Sequence, residues 1–155
     1  MRAVVQRVTR ASVRVDGEVV GAVARGLLVL LGVGPGDTPA VAERLAGRVA
    51  MLRVFADDAG RMNLDLLQVG GAVLVVSQFT LFGDASRGHR PSFIGAGPPE
   101  LGRHLCDVFA DAMRRRGLEV ATGRFGAHMD VDLTNDGPVT LVLSSAEGGW
   151  STDAG

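Results

Sequence analysis

The chain has 155 residues and a mass of 16.1 kDa, enough for one compact domain and short for two. Its 46% hydrophobic and 21% charged content excludes a disordered or fibrous chain. Sixteen basic against 17 acidic residues, a net charge of −1, speak against a broad, sequence-blind nucleic-acid binder.

All the basic residues are arginine, so Schiff-base chemistry and a phosphate-loop lysine are excluded. The opening MRAVVQRVTRASVRV lacks the apolar core of a signal peptide, and no stretch spans a bilayer; the chain reads as cytosolic, with no membrane partner. The same N-terminal third reads as β structure. Val4–Val8 and Ser12–Val15 are strand-like, and Asp16-Gly17 before Glu18–Val23 is a hairpin signal. Gly26–Val33 is a continuous apolar run of strand length, which predicts burial on both faces.

Thr38 and Pro39 predict the start of a helix whose Val41, Leu45, Val49 and Leu52 share one stripe. Ala72–Val76 is a second buried strand, running directly into the polar Ser77-Gln78-Phe79-Thr80. Asp84–Gly97 reads as a surface loop. Pro98-Pro99-Glu100 opens a second helix with Leu101, Leu105, Val108, Phe109 and Ala112 inward and Gly117 as its stop. Val131–Leu133 and Val139–Leu143 are strands around Asn135-Asp136-Gly137-Pro138, and 146–155 reads as a frayed tail after one domain over 1–145. Two helices cannot cover both faces of a large sheet, so a second sheet or a partner subunit must bury the rest.

Few residues offer chemistry. Gly32-Val33-Gly34-Pro35-Gly36 has the wrong spacing for a dinucleotide fingerprint and reads as a tight strand-to-helix connection. His89, His104 and His128 have no metal-ligand spacing, and the single Cys106 sits beside an apolar stripe as a small hydrophobe; no metal and no cofactor are expected. Ser77–Thr80 is different: an apolar strand turns polar at its carboxyl end, where α/β proteins often place ligands. A strand simply meeting solvent accounts for it equally well, and a Ser or Thr nucleophile lacks a nearby base. Asn135–Thr140 is the second candidate, with an ordinary turn as its plain reading.

Ser77-Gln78-Phe79-Thr80-Leu81 and Asn135-Asp136-Gly137-Pro138-Val139-Thr140 together resemble the two signature motifs of the D-aminoacyl-tRNA deacylases. VVQRV, VDG, GLLVLLGV, Met62-Asn63-Leu64, RPSF, PPE and TGRFGAHM follow the family in order, from Met1 to about Ser145. The resemblance implies an α/β three-layer sandwich of two stacked β-sheets with helices on one side, and a homodimer with each active site at the interface. It implies hydrolysis of the ester joining a D-amino acid, or glycine mischarged on alanine tRNA, to the 3′-terminal adenosine of tRNA.

Carried onto this chain, the resemblance makes Ser77, Gln78, Phe79 and Thr80 the catalytic segment, with the Phe79 and Thr80 N–H groups on the substrate carbonyl. Gly137 and Pro138, followed by Val139 and Thr140, become a Gly-cisPro filter reaching into the other subunit. Arg7 becomes a pocket or interface residue, and Arg90, Pro91 and Phe93 a loop near the pocket. Thr80 as covalent nucleophile and water activated with help from the terminal 2′-OH both stay open. Asp130 and Asp132 depart from the family by adding acid beside the second motif. A non-catalytic dimeric nucleic-acid-binding module is the rival reading, and a Ser/Thr hydrolase of small esters a second.

The charge is uneven: Arg2, Arg7, Arg10 and Arg14 precede the first acid, Asp16. An enzyme gripping only the single-stranded end needs few phosphate contacts. Roughly three would give a log–log salt slope near −2.

Overall fold

The protein's structure is a computed structural model that describes residues 1–146 and 149–151. In chain order the elements are β1 (Arg2–Val15), β2 (Glu18–Val23), β3 (Gly26–Gly32), α1 (Pro39–Ala50), β4 (Phe55–Ala56), β5 (Met62–Leu64) and β6 (Ala72–Ser77). A 3₁₀ turn over Phe79–Phe82 precedes α2 (Pro99–Arg114), β7 (Glu119–Thr122), β8 (Asp130–Ala146) and β9 (Gly149–Ser151). Of the expected tail over 146–155, β9 pairs with the end of β8, while 147–148 and 152–155 lie outside the described residues.

Local chemistry sets these elements. Asp16 and Gly17 both take positive φ (52° and 82°), the conformation that a tight hairpin between β1 and β2 requires. Thr38 caps α1 by accepting the Val41 N–H at 3.4 Å, with Pro39 in the first turn where no N–H is needed. α2 turns Leu105, Phe109, Ala112 and Met113 inward, and Gly117 at φ 85° ends the segment after it.

Seven strands form one sheet in the order β7-β6-β3-β1-β8-β9, with β2 also on β1. β3, β6 and β7 run parallel to one another, and the other pairings are antiparallel. The expected α/β layering with both helices on one side is present. Apart from the separate β4–β5 ribbon, its strands form one continuous sheet that curls until it nearly closes: Gly21 of β2 lies so close to the Thr122 backbone of β7 that a β-carbon would not fit.

The curl creates two cores. Ala3, Val5, Leu27, Val29, Leu31, Val73 and Val75 face α1 and α2, while Leu28, Leu74 and Val76 alternate onto the inner face with Val8, Ala11 and Val13. Val5 and Ala11 have the same parity yet face opposite cores. An irregularity between Val8 and Arg10 in the pairing with β8 switches the face, as a bulge does. Phe109 is fully buried between the helices and the sheet, and its truncation to Ala would cost about 3–5 kcal/mol.

Candidate active site

The parallel strands β3, β6 and β7 end at one sheet edge, and a cavity of about 840 Å³ opens there. Leu31, Val33 and Val76 form its floor, and Ser77, Gln78 and Phe79 carry the wall onward from β6. Gln78 still donates its backbone N–H to Leu31 O at 2.8 Å, so the polar segment leaves the sheet only at the 3₁₀ turn. Phe93 packs edge-on against Phe79 at 5.2 Å between centroids, and Ile94 beside it is 93% exposed. Phe125 lies opposite, against Gly102 of α2, with the Arg103 guanidinium 4.8 Å from its ring centre. Such a lining suits a flat apolar group with polar atoms at one end.

Thr80 is exposed on the turn, and its hydroxyl accepts a hydrogen bond from Gln78 Nε2. No acid or histidine reaches that hydroxyl among the described residues. A lone pair engaged by an amide donor is a poorer nucleophile, and the free O–H is a better donor. The Phe79 and Thr80 N–H groups head the turn, where no partner exists within it, and none is found among the described residues. Cys106 also lines the cavity, but burial, with a smaller contribution from Asp107, pushes its thiol up to about 12, so it stays neutral.

The second motif lies elsewhere. Along β1, Gln6 pairs with Thr140 and Val8 with Asn135, so residues 136–139 of β8 stand opposite Arg7 alone and bulge from the ladder. The Gly137–Pro138 bond in this excursion is cis, and Gly137 takes φ 142°. Asn135 closes the excursion: Val139 N–H donates to its Oδ1 at 2.7 Å, and its Nδ2 donates to Val139 O at 3.2 Å and Thr140 Oγ at 3.1 Å. Arg7, 13% exposed, anchors it: Nε donates to Asp136 O at 2.9 Å and sits 3.3 Å from Asp136 Oδ2, while the guanidinium also donates to Val54 O. Gly137 and Pro138 themselves are exposed.

Ser77, Gln78, Phe79 and Thr80 therefore come together, as do Arg7, Gly137, Pro138, Val139 and Thr140, but the two groups do not meet within one chain. Arg7 is level with Leu27 and Val73, four residues below Ser77 on β6, and three strand spacings separate β8 from β6. At ~3.3 Å per residue and ~4.8 Å per strand the groups are roughly 20 Å apart measured along the curled sheet. Arg90 and Pro91 sit on an exposed loop outside this cavity's lining, whereas Phe93 does line it. Sequence reasoning gave no place in the site to Ile94, Gly102 or the helix-opening Pro98 and Pro99; large apolar residues kept in polar loops, Ile94 and Phe125 above all, were the available signal.

Asp132 pairs with Arg14 across the strands, and Asp130 stands 3.9 Å from His128 Nε2. The arginine-rich first strand is also largely engaged. Arg2 donates to Leu81 O at 2.7 Å and lies over Phe82, and Arg7 and Arg14 are held as above. Among the described residues, no group of three or more His, Cys, Asp or Glu is placed to hold a metal, and no helix is long and apolar enough to cross a membrane.

A family model described as D-Tyr-tRNA(Tyr) deacylase matches residues 4–144. The chain belongs to that family. A D-aminoacyl-tRNA deacylase from Roseiflexus castenholzii is 60% identical over 146 residues, covering 94% of this chain and 93% of the relative. One from Deinococcus deserti is 58% identical over 143 residues, covering 92% and 98%. Among solved structures, a c-Myc DNA unwinding element binding protein superposes with a TM-score of 0.88 at 41% identity, covering 94% of this chain and 99% of that one. A probable eukaryotic D-amino acid tRNA deacylase shares the fold at a TM-score of 0.78 and 18% identity, covering 91% and 97%.

Proposed function

We propose that this member of the deacylase family hydrolyses the ester joining a D-amino acid, or glycine mischarged on alanine tRNA, to the 3′-terminal adenosine of tRNA. It does so in the cytoplasm, as a homodimer. The observation that carries this reading is the separation of the two signature groups by roughly 20 Å along the sheet, with Phe79, Thr80, Gly137 and Pro138 exposed. A second copy supplies the Gly137–Pro138 excursion to the first copy's cavity. Further support comes from the outer edge of β8, which has a strand partner among the described residues only along Ser144–Ala146. A long open edge is a ready template for another chain.

In this arrangement the terminal adenosine enters the apolar cavity and the ester lies against the Phe79 and Thr80 N–H groups. These stabilise the charge that develops on the carbonyl oxygen. The partner's Gly137 and Pro138 carbonyls face the α-amino group and the α-carbon. A D side chain then projects into open space, and an L side chain strikes main chain. Rejection by rigid backbone leaves every D side chain acceptable, and a 10⁴-fold preference corresponds to about 5.5 kcal/mol. Thr80, accepting from Gln78 and lacking a base, positions substrate while the terminal 2′-OH helps activate water.

Deacylation of D- and L-aminoacyl-tRNA tests the reading: the D ester is cleaved and the L ester spared. Thr80→Val is expected to retain measurable turnover, and a 3′-linked ester on 2′-deoxyadenosine is expected to be inert. Complete loss in Thr80→Val with unchanged substrate affinity would instead make Thr80 the covalent nucleophile. The DNA-binding name of one structural relative favours a second reading, a nucleic-acid-binding module on the same fold. That module would leave both esters intact.

A further inference from the structure

Between Asp84 and Glu100 the chain carries Arg87, His89 and Arg90 and no acid. Asp84 and Ser92 exchange two backbone hydrogen bonds of 2.8 Å, so residues 85–91 leave the body as one arm with a closed base. The nearest acid, Asp84, already accepts the Ser86 N–H at 2.9 Å. Arg87 and Arg90 are exposed, and among the described residues neither makes an ion pair or a side-chain hydrogen bond. Arg2, Arg7 and Arg14 of the first strand, by contrast, are held on carbonyls or carboxylates.

The position of the arm gives those free guanidinium groups a direction. Its base adjoins Phe93, which packs on Phe79 at the cavity wall. Seven residues running out and back reach at most about 12 Å from that base. A chain whose last nucleoside occupies the cavity comes within reach of this arm where it leaves past the Phe79–Phe93 wall. Its phosphates are the groups that exposed arginines engage best, by paired charge-assisted hydrogen bonds.

We propose that Arg87 and Arg90 grip the phosphates next to the terminal adenosine, so that the 85–91 arm, not the basic first strand, holds the RNA. The proposal rests on the deacylase reading and adds to it the residues that distinguish a tRNA ester from a free aminoacyl-nucleoside. Chemistry stays in the cavity, and the arm sets how long the RNA remains.

The test compares R87A/R90A with R44A/R48A, which removes the same charge from the exposed face of α1. Each is assayed on D-aminoacyl-tRNA and on D-aminoacyl-adenosine, which has no phosphate. R87A/R90A should raise KM for the tRNA ester roughly tenfold with kcat kept. It should lower the magnitude of the log–log salt slope by about 1.4, at ~0.7 per single-strand phosphate contact. The loss should not extend to the adenosine ester, and R44A/R48A should change neither. An equal loss on both substrates, an unchanged salt slope, or an equal effect from R44A/R48A would overturn the proposal. A wild-type protein inactive on both substrates would overturn the deacylase reading instead.

Discussion

Arg7→Met is the most informative single substitution because Arg7 ties the second motif to the body of the protein. Methionine keeps the apolar stem and removes all the donors. The Val54 carbonyl, in a residue only 8% exposed, loses a charged partner. A hydrogen bond to a charged group contributes about 1.5–3 kcal/mol net, and this site is buried enough to keep that range. The bond to Asp136 O and the ion pair to its carboxylate lie where water can replace them, so they add about 0.5–1 kcal/mol together. The expected loss is therefore about 2–4 kcal/mol, read from urea denaturation at fixed protein concentration. The same variant should lose discrimination between D- and L-aminoacyl-tRNA more than it loses kcat on the D ester, because residues 136–139 loosen while Ser77–Thr80 are untouched. Arg7→Lys should recover only part of either effect, since one ammonium cannot span Val54 and Asp136 as the guanidinium does. Unchanged stability together with unchanged discrimination in Arg7→Met would refute the anchoring role.

Gly137→Ala should destabilise by about 1–3 kcal/mol and reduce deacylation, because a Cβ at φ 142° would lie 2.8 Å from Val139 Cγ2 and 3.1 Å from Arg7 Nη2. Denaturation and D-ester kinetics check it, and a fully stable, fully active variant would contradict it. Cys106, neutral because burial pushes its thiol up to about 12, should resist iodoacetamide at pH 8 until denaturant is added. Rapid alkylation of the folded protein would contradict that. The Asp57 carboxyl is held below its usual value by the Arg61 N–H, and that of Asp84 by the Ser86 N–H. A depressed folded value means the stabilisation is complete above the ordinary carboxylate value of 3.8 and is lost as pH falls through the lowered one. Amide protection factors, corrected for the intrinsic rate at each pH, should therefore fall in the 57–61 and 84–86 turns only in strong acid, and a fall already on acidifying to pH 6 would contradict the assignment.

Features governed by near neighbours were legible in the sequence. Asp16-Gly17, the Thr38 cap and the α2 stripe each depend on residues a few positions apart, and each stands where it was expected. Features that depend on distant partners were not. β1 reads as two short strands because its face switches at the irregularity near Val8–Arg10, which only the pairing with β8 reveals. Val131–Leu133 and Val139–Leu143 read as separate strands because the excursion between them looks like a turn; opposite Arg7 it is a bulge in one strand. The polar end of β6 pointed to the cavity, but the lining from Ile94 and Phe125 did not, since nothing local brings those loops to one sheet edge. The basic first strand, read as an uneven charge, is mostly bound to the protein's own carbonyls and carboxylates.

The excursion at 136–139 is joined to the sheet in an unusual way. β8 is registered against β1 on both sides of it, at Thr140 with Gln6 and at Asn135 with Val8, and each half keeps its own ladder. The segment is thus held by Arg7 and Asn135 rather than by strand pairing. In the reading proposed above, selectivity then sits in a segment set apart from the cavity, between two ladders that are registered independently of it.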